Sequence, residues 1–328
     1  MIVMKTRIIL ILIPLLVFSC IQPENYGEFQ VAGDEFYSCV SENAIVEKIG
    51  TEYQFTEGPV WSDEGFLLFS DIPANKIYKW LPEGDVTVFI EASNNSNGLT
   101  FDRDGRLVTC EHGGRAVVRY EPNGQRFIVA DNYMGKKLNS PNDLVIHSSG
   151  AIFFTDPPWG LPELDDDPAK EISFNGVFVI SSGEVRLIDS TLFRPNGIAL
   201  SPDEKYLYVG NNQYSGDPDK TEAGVNSWYR YILNEDLTVK EKTEFCRAPD
   251  SSIPGNPDGM KVDVKGNLYC TGPGGLLIFN SEGKYLGTIV LPEIPTNCSF
   301  GGEDGKTLFI TDRKQIFKID LLVEGIRP

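Results

Sequence analysis

The feature of this sequence that most constrains its fold is a repeat of short polar openings. Each unit begins with Asn, Asp or Glu, usually followed by glycine, and then runs through a short strand-like stretch into a turn. The openings are Glu57-Gly58, Asn97-Gly98, Asn142-Asp143, Asn196-Gly197, Asp258-Gly259 and Asn297-Cys298. They lie 40, 45, 54, 62 and 39 residues apart. Repeats of this length are typical of β-propellers, so the six units predict six blades.

The residues within each unit favour an all-β fold. A turn-forming cluster such as Asp102-Arg103-Asp104-Gly105 follows each opening after five to seven residues, as expected of a β-hairpin. The stretches after these turns, among them Tyr206 to Val209, are rich in aromatic and β-branched residues. We therefore predict a six-bladed β-propeller over residues 46–328. Residues 161–170 and 213–226 interrupt the pattern and are predicted to be surface loops.

The first twenty residues have the pattern of a lipoprotein signal peptide. Lys5 and Arg7 precede an uncharged apolar run that ends at Ser19-Cys20, and this run is too short to cross about 30 Å of hydrocarbon. The sequence predicts a leader over residues 1–19, lipidation at Cys20, and an N-terminal tether and lead-in over residues 20–45. The protein would then be exported and lipid-anchored to the bacterial cell envelope. Plain secretion is the alternative, because Phe18 is unusual in such a motif.

The charge and the cysteines narrow the choice of partners. The formal net charge is −18, which argues against binding to nucleic acid or to an anionic membrane surface. Membrane contact is therefore expected through the lipid anchor only. Five cysteines follow Cys20, and their spacings match no zinc motif.

In a propeller the six openings begin the innermost strands at one end of the channel, so their side chains are expected to converge. Glu57, Asn142, Asn196 and Asp258 would then offer two carboxylates and two amide carbonyls to one point. Such hard oxygen donors suit Ca²⁺, although Zn²⁺, Mg²⁺ or Mn²⁺ could take its place. The alternative interpretation is structural, because Asn or Asp before Gly is a common turn dipeptide that needs no ligand.

Five stretches together resemble the signature of the senescence-marker-protein, gluconolactonase and luciferin-regenerating-enzyme-like family. They are Glu57-Gly58-Pro59-Val60-Trp61, Asn139-Ser140-Pro141-Asn142-Asp143-Leu144, Phe154-Thr155-Asp156-Pro157, Arg194-Pro195-Asn196-Gly197-Ile198-Ala199 and Pro257-Asp258-Gly259-Met260. The resemblance implies a six-bladed propeller that binds one divalent ion, usually calcium, at the places of Glu57, Asn142, Asn196 and Asp258. It also implies hydrolysis of sugar lactones, with Asp258 helping to activate water.

Other residues are candidates for catalysis or for substrate binding. His112 is the second catalytic candidate because its titration range suits proton transfer, and the alternative is a hydrogen-bonded loop or core histidine. Asn97, Arg115, Asp156 and Trp159 are candidate substrate contacts. Trp159 could instead pack against the loop that begins at residue 161, and Arg115 could pair with a neighbouring acid.

The function that this resemblance implies is hydrolysis of a small, sugar-derived lactone by a metal-dependent enzyme. The cation would polarise the lactone carbonyl while a carboxylate takes a proton from water. Ser140 stands where the animal members of the family have an arginine that contacts substrate, which leaves the aldonolactone assignment open. The alternatives are a non-catalytic, calcium-stabilised propeller that binds a ligand, and a phosphotriesterase-like hydrolase.

Overall fold

The computed structural model describes residues 24–213 and 226–328. The predicted leader, the lipidation site Cys20 and most of the predicted loop 213–226 lie outside these residues. Export and lipid anchoring therefore stay predictions. Within the described ranges, no helix has the length and apolar character needed to span a membrane.

The described residues begin with two strands that precede the first blade, and five blades of four consecutive strands each follow. The leading strands are β1 (Glu28–Val31) and β2 (Glu47–Gly50), with a 3₁₀ turn at Asp34–Ser38 between them. Blade one contains β3 (Thr56–Ser62), β4 (Phe66–Asp71), β5 (Lys76–Trp80) and β6 (Val86–Ile90). Blade two contains β7 (Ser96–Phe101), β8 (Leu107–Glu111), β9 (Ala116–Tyr120) and β10 (Arg126–Ala130). A small hairpin follows, made of β11 (Asn132–Tyr133) and β12 (Lys136–Lys137).

The remaining strands form four further blades. Blade three contains β13 (Leu144–Ile146), β14 (Ile152–Asp156), β15 (Gly176–Ser181) and β16 (Glu184–Asp189), with a 3₁₀ turn at Leu164–Asp166. Blade four contains β17 (Pro195–Leu200), β18 (Tyr206–Asn211), β19 (Ser227–Leu233) and β20 (Val239–Arg247). Blade five contains β21 (Met260–Val262), β22 (Leu268–Gly272), β23 (Gly275–Phe279) and β24 (Tyr285–Val290). Blade six receives β25 (Asn297–Gly301), β26 (Thr307–Asp312) and β27 (Gln315–Asp320) from the C-terminal part of the chain.

These six antiparallel sheets confirm the predicted all-β, six-bladed propeller. The first strand of each blade is the innermost one, and each innermost strand contacts that of the next blade. The contact between β25 and β3 closes the ring. The described residues contain no α-helix, and their five cysteines are all buried and unpaired.

The two ends of the chain share the last blade. Strand β2 pairs antiparallel with β27, with Glu47 opposite Lys318, and so supplies the fourth strand of blade six. Strand β1 pairs with β24 and adds a fifth strand to blade five, while Phe36 from the following 3₁₀ turn is fully buried. The assignment of residues 20–45 to a tether did not anticipate this strand. Covering the outer edge of β24 protects backbone groups that would otherwise be exposed.

The glycines after the openings are explained by crowding around the channel rather than by turns. The Gly98 N–H donates to the Asn142 carbonyl at 2.8 Å, and the Gly197 N–H donates to the Asp258 carbonyl at 3.1 Å. A Cβ atom on Gly98 would lie 2.6 Å from the Asn142 oxygen, and one on Gly197 would overlap the Asp258 oxygen. Only glycine allows the innermost strands to approach this closely.

We predict that Gly197→Ala destabilises the protein by about 2 kcal/mol, because the added methyl group must push apart two blades. Urea unfolding of the purified variant measures this loss. Gly33→Ala is the matched control, since Gly33 is extended (φ 175°) and a Cβ there meets nothing within 4 Å. Equal free energies of unfolding for the two variants would mean that the neighbouring blades accommodate the methyl group added by Gly197→Ala without cost, which would contradict the prediction.

Candidate active site

A cavity of about 430 Å³ lies at the end of the channel where the innermost strands begin. Seven of the side chains singled out in the sequence line it together: Glu57, Asn97, His112, Asn142, Trp159, Asn196 and Asp258. They lie on or just before the innermost strands of blades one to five, or in the loops after the second strands of blades two and three. Five of the six openings therefore line one cavity.

Serine and threonine hydroxyls next to the channel hold the openings in place. The Ser70 hydroxyl of blade one donates to the Asn97 carbonyl at 2.8 Å. The Thr155 hydroxyl of blade three donates to the Asn196 carbonyl at 2.7 Å, and the Thr271 hydroxyl of blade five donates to the Thr296 carbonyl at 2.9 Å. Each of these bonds ties one blade to the opening of the next, so the side chains at the openings have a fixed backbone.

Two carboxyl groups meet in this cavity with little solvent around them. Glu57 is 2 % exposed, and its Oε2 accepts the Gly58 N–H at 2.7 Å and the Asn297 amide at 2.9 Å. Burial raises the pKa of Glu57 to about 7. Burial also raises the pKa of Asp258 well above its ordinary value, and the neighbouring charges of Glu57 and Asp143 raise it further.

Glu57 and Asn196 both lie close enough to Asp258 to affect its pKa, which the Glu57 carboxyl raises and the Asn196 amide lowers. Two carboxylates this close and this buried repel each other unless a proton or a cation lies between them. Within the described ranges, no three His, Cys, Asp or Glu side chains are grouped to hold a metal ion. The donors present are two carboxylates and two amides, which is a set of oxygen ligands that suits calcium.

Asn97 and His112 form a pair in the second blade. The Asn97 Nδ2 lies 3.1 Å from the His112 Nε2, and both residues are buried. Burial lowers the pKa of His112 to about 4, so the imidazole is neutral at neutral pH and its Nε2 can accept a hydrogen bond. The Asn97 Oδ1 has no hydrogen-bond partner among the described atoms. A substrate hydroxyl or a water in the cavity could satisfy that oxygen.

Arg115 does not line the cavity. Its Nε donates to the Leu138 and Asn139 carbonyls at 2.7 and 3.0 Å, and its Nη1 donates to the Ala169 carbonyl at 2.9 Å. These bonds tie the segment before Asn142 to the loop over residues 161–170. The structure therefore gives Arg115 a backbone-anchoring position and not the substrate contact expected from the sequence.

Asp156 also lies outside the cavity, fully buried, and its Oδ2 accepts the Asn139 N–H at 2.7 Å. The same arrangement recurs at the end of the second strand of other blades. Asp71 accepts the Phe55 N–H at 3.1 Å, and Asp312 accepts the Glu293 N–H at 3.2 Å. In each case the acid holds the segment that leads into the innermost strand. This repeated contact places Asp156 with the blade structure instead of with the substrate.

The structure also adds residues to the cavity that the sequence did not indicate. Thr296, and not the predicted opening residue Asn297, lines the cavity in blade six, while the Asn297 amide donates to Glu57. Arg313 and Asn212 line the cavity as well. Arg313 lies in the turn between the second and third strands of blade six, as Arg115 does in blade two.

We predict that Asp156→Asn becomes more stable than the wild type as the pH rises. Burial raises the pKa of Asp156 to about 7 from 3.8, so the folded protein favours the neutral carboxyl. The stability that this group contributes is fully present below pH about 4 and is lost as the pH rises through about 7. Between pH 5 and 8, the difference in free energy of unfolding between variant and wild type should increase by on the order of 2 kcal/mol.

Chemical denaturation at both pH values measures this difference. The same substitution at the exposed Asp85 is the control. A pH-independent difference for Asp156→Asn would mean that Asp156 is already ionised in the folded protein.

The chain is similar to proteins of known kind over most of its length. Residues 55–314 match the family model for the SMP-30/Gluconolactonase/LRE-like region. A gluconolactonase of Zymomonas mobilis subsp. mobilis is 40% identical over 298 residues, which cover 84% of this chain and 80% of that protein. A pentonolactonase of Haloferax volcanii is 26% identical over 276 residues, covering 81% of this chain and 84% of its own.

A solved structure described as a gluconolactonase of Xanthomonas campestris superposes with a TM-score of 0.78 at 29% identity. The match covers 92% of this chain and 99% of that one. The resemblance found in the sequence is thereby confirmed. With its six blades, the convergent openings and a match that spans most of the chain, this protein belongs to the SMP-30/gluconolactonase/LRE-like family.

Proposed function

We propose that this protein is a metal-dependent hydrolase that opens a small, sugar-derived lactone in the channel cavity. The observation that carries this proposal is the meeting of Glu57, Asn142, Asn196 and Asp258 in one cavity. The relatives of this chain include a gluconolactonase and a pentonolactonase. Both of those names describe hydrolysis of a cyclic ester of a sugar acid.

The four residues fit a divalent cation, and Ca²⁺ is the ion that we propose. Glu57 and Asp258 would supply two negative charges, and the amide oxygens of Asn142 and Asn196 would complete the set of protein ligands. The raised pKa values of the two acids indicate how unfavourable their charges are without such an ion. When bound, the ion polarises the lactone carbonyl and stabilises the negative charge that develops on its oxygen.

The side chains of this protein would perform the remaining parts of the reaction. Asp258 borders the cavity and is the base that takes a proton from the attacking water. The water oxygen bonds to the carbonyl carbon, and the bond between that carbon and the ring oxygen breaks. The ring oxygen takes up the proton that Asp258 removed and leaves as an alcohol, so the product is a hydroxy acid. Asn97 orients the substrate or the water through its unpartnered oxygen, and the neutral His112 holds the Asn97 amide in place.

We predict that Asp258→Asn lowers the rate of lactone opening at least about 100-fold, because the base and one negative charge are both lost. The variant keeps the size of the side chain, so the fold should remain. Acid release from D-glucono-δ-lactone, corrected for spontaneous hydrolysis, measures the rate with added calcium and with a chelator. The rise in Tm that calcium gives the wild type should shrink in the variant.

Asp312→Asn is the matched control. Asp312 is a buried acid at the corresponding edge of blade six, but it does not line the cavity. That variant should keep turnover. Wild-type rates in Asp258→Asn would contradict the assigned role. A wild-type protein that binds calcium but opens no lactone with any divalent ion would favour the non-catalytic binding propeller.

A further inference from the structure

Trp159 forms part of the cavity wall and is fixed from outside the cavity. It follows β14 in blade three and lines the cavity together with the proposed metal ligands. The guanidinium of Arg194 lies 4.7 Å from the centre of its ring. Arg194 is 3 % exposed and directly precedes Pro195 and Asn196. The indole is thus held against the same segment that carries a proposed metal ligand.

Arg194 is itself held by an acid from the loop over residues 161–170. Its Nε and Nη2 donate to Asp165 Oδ2 at 2.9 and 2.7 Å. Asp165 Oδ1 in turn accepts the Asn175 amide at 2.9 Å. Bonds of this charged, two-point kind have a defined geometry. The loop, the guanidinium and the indole therefore form one packed unit at the cavity mouth.

Ser140 fixes the other side of the turn that carries Trp159. The Ser140 hydroxyl donates to the Pro157 carbonyl at 2.6 Å and accepts the Gly160 N–H at 2.8 Å. It is fully buried and does not line the cavity. A Cβ at Gly160 would lie 2.7 Å from the His112 Cβ, so this turn also packs directly on His112. These contacts leave the indole little freedom to move away from the cavity.

From these contacts we infer that Trp159 is the specificity wall of the site, and that it binds one face of a hydroxylated five- or six-membered lactone ring. This inference rests on the proposed function. A flat aromatic surface matches the C–H groups on a sugar ring face, while the Asn97 side chain, which lines the same cavity, matches its hydroxyl groups. Ser140, Arg194 and Asp165 are positioning residues that act through Trp159.

The chemistry of the wall also defines what the site excludes. Arg194 packs against the indole and Ser140 holds the turn that carries it. The indole therefore cannot move away to admit a bulky group on the face of the lactone ring that it contacts. A lactone with a free sugar ring is accepted, and one acylated on its ring hydroxyls is not. Trp159→Ala would open that space.

The first test is steady-state kinetics and product binding with D-glucono-δ-lactone and gluconate. We expect Trp159→Ala to raise KM about tenfold with kcat within about twofold, because a stacking contact contributes binding to substrate and transition state alike. Trp159→Phe should lose less than Trp159→Ala. Isothermal titration calorimetry with gluconate and the calcium-loaded protein should show a similar weakening, and this measurement does not depend on turnover.

Phe193→Ala is the matched control, since Phe193 contacts the same guanidinium at 5.0 Å but does not line the cavity. Its KM should equal that of the wild type. Equal losses in Phe193→Ala and Trp159→Ala would overturn the inference, because the effect would then come from Arg194. Unchanged KM and gluconate affinity in Trp159→Ala would overturn it as well. Absence of turnover in the wild type would reject the proposed function. The gluconate affinities from calorimetry would still test whether Trp159 contacts the sugar ring.

A double-mutant cycle tests the positioning role of Ser140. Ser140→Ala should raise KM in the wild type but add nothing in the Trp159→Ala background, because the two residues act through one contact. Thermal melting of each variant shows whether it has folded. Additive effects on KM in the folded double variant would contradict the role assigned to Ser140.

Discussion

The close approach of neighbouring innermost strands is the constraint on which this structure depends. Glycine after the opening lets the backbone of one blade donate directly to the opening carbonyl of the next, as Gly197 does to Asp258. Hydroxyl groups such as that of Thr155 add a second bond between the same neighbours. The ring is therefore fixed at its narrowest point, and side chains that are far apart in the chain reach one cavity from fixed backbones.

Convergence has an electrostatic cost, and this cost is the physical reason for the cation that we propose at the site. Burial raises the pKa of Glu57, Asp143 and Asp258. The charge of Asp143 raises the pKa of Glu57 further, and the charges of Glu57 and Asp143 raise that of Asp258. Several like charges that are buried away from water are unfavourable unless a proton or a counter-ion compensates them. The net charge of −18 makes the interior still less favourable to added negative charge. Structural crowding at the channel and the proposed affinity for a divalent ion are thus consequences of the same arrangement.

Much of the fold and five of the cavity residues could be predicted from the repeat, because it places equivalent residues at equivalent points of each blade. Two more cavity residues, His112 and Trp159, could be predicted from their residue types. Register within a blade could not be predicted. In blade one the pairing shifts between Glu57 and Val60, whereas β25 pairs with β26 without a shift. The spacing of residues does not reveal a bulge of this kind. The repeat therefore predicts Asn297 as the opening of blade six, whereas Thr296 lines the cavity.

The sequence also could not predict the roles of residues that depend on contacts between blades and loops. Asp156 and Arg115 have residue types that suit substrate binding, yet both bond to backbone groups that only the folded chain brings near them. Trp159 was expected near substrate, and the structure adds the guanidinium behind it and the serine that holds its turn. Sequence identifies which side chains carry chemistry, and packing decides which of them can use it.

A crystal structure of the protein grown with calcium tests the central claim most directly. The account predicts one ion in the channel cavity, with oxygens of Glu57, Asn142, Asn196 and Asp258 about 2.3–2.6 Å from it. An ion held elsewhere, or a cavity without an ion at saturating calcium while Glu57 and Asp258 share a proton, would contradict the account.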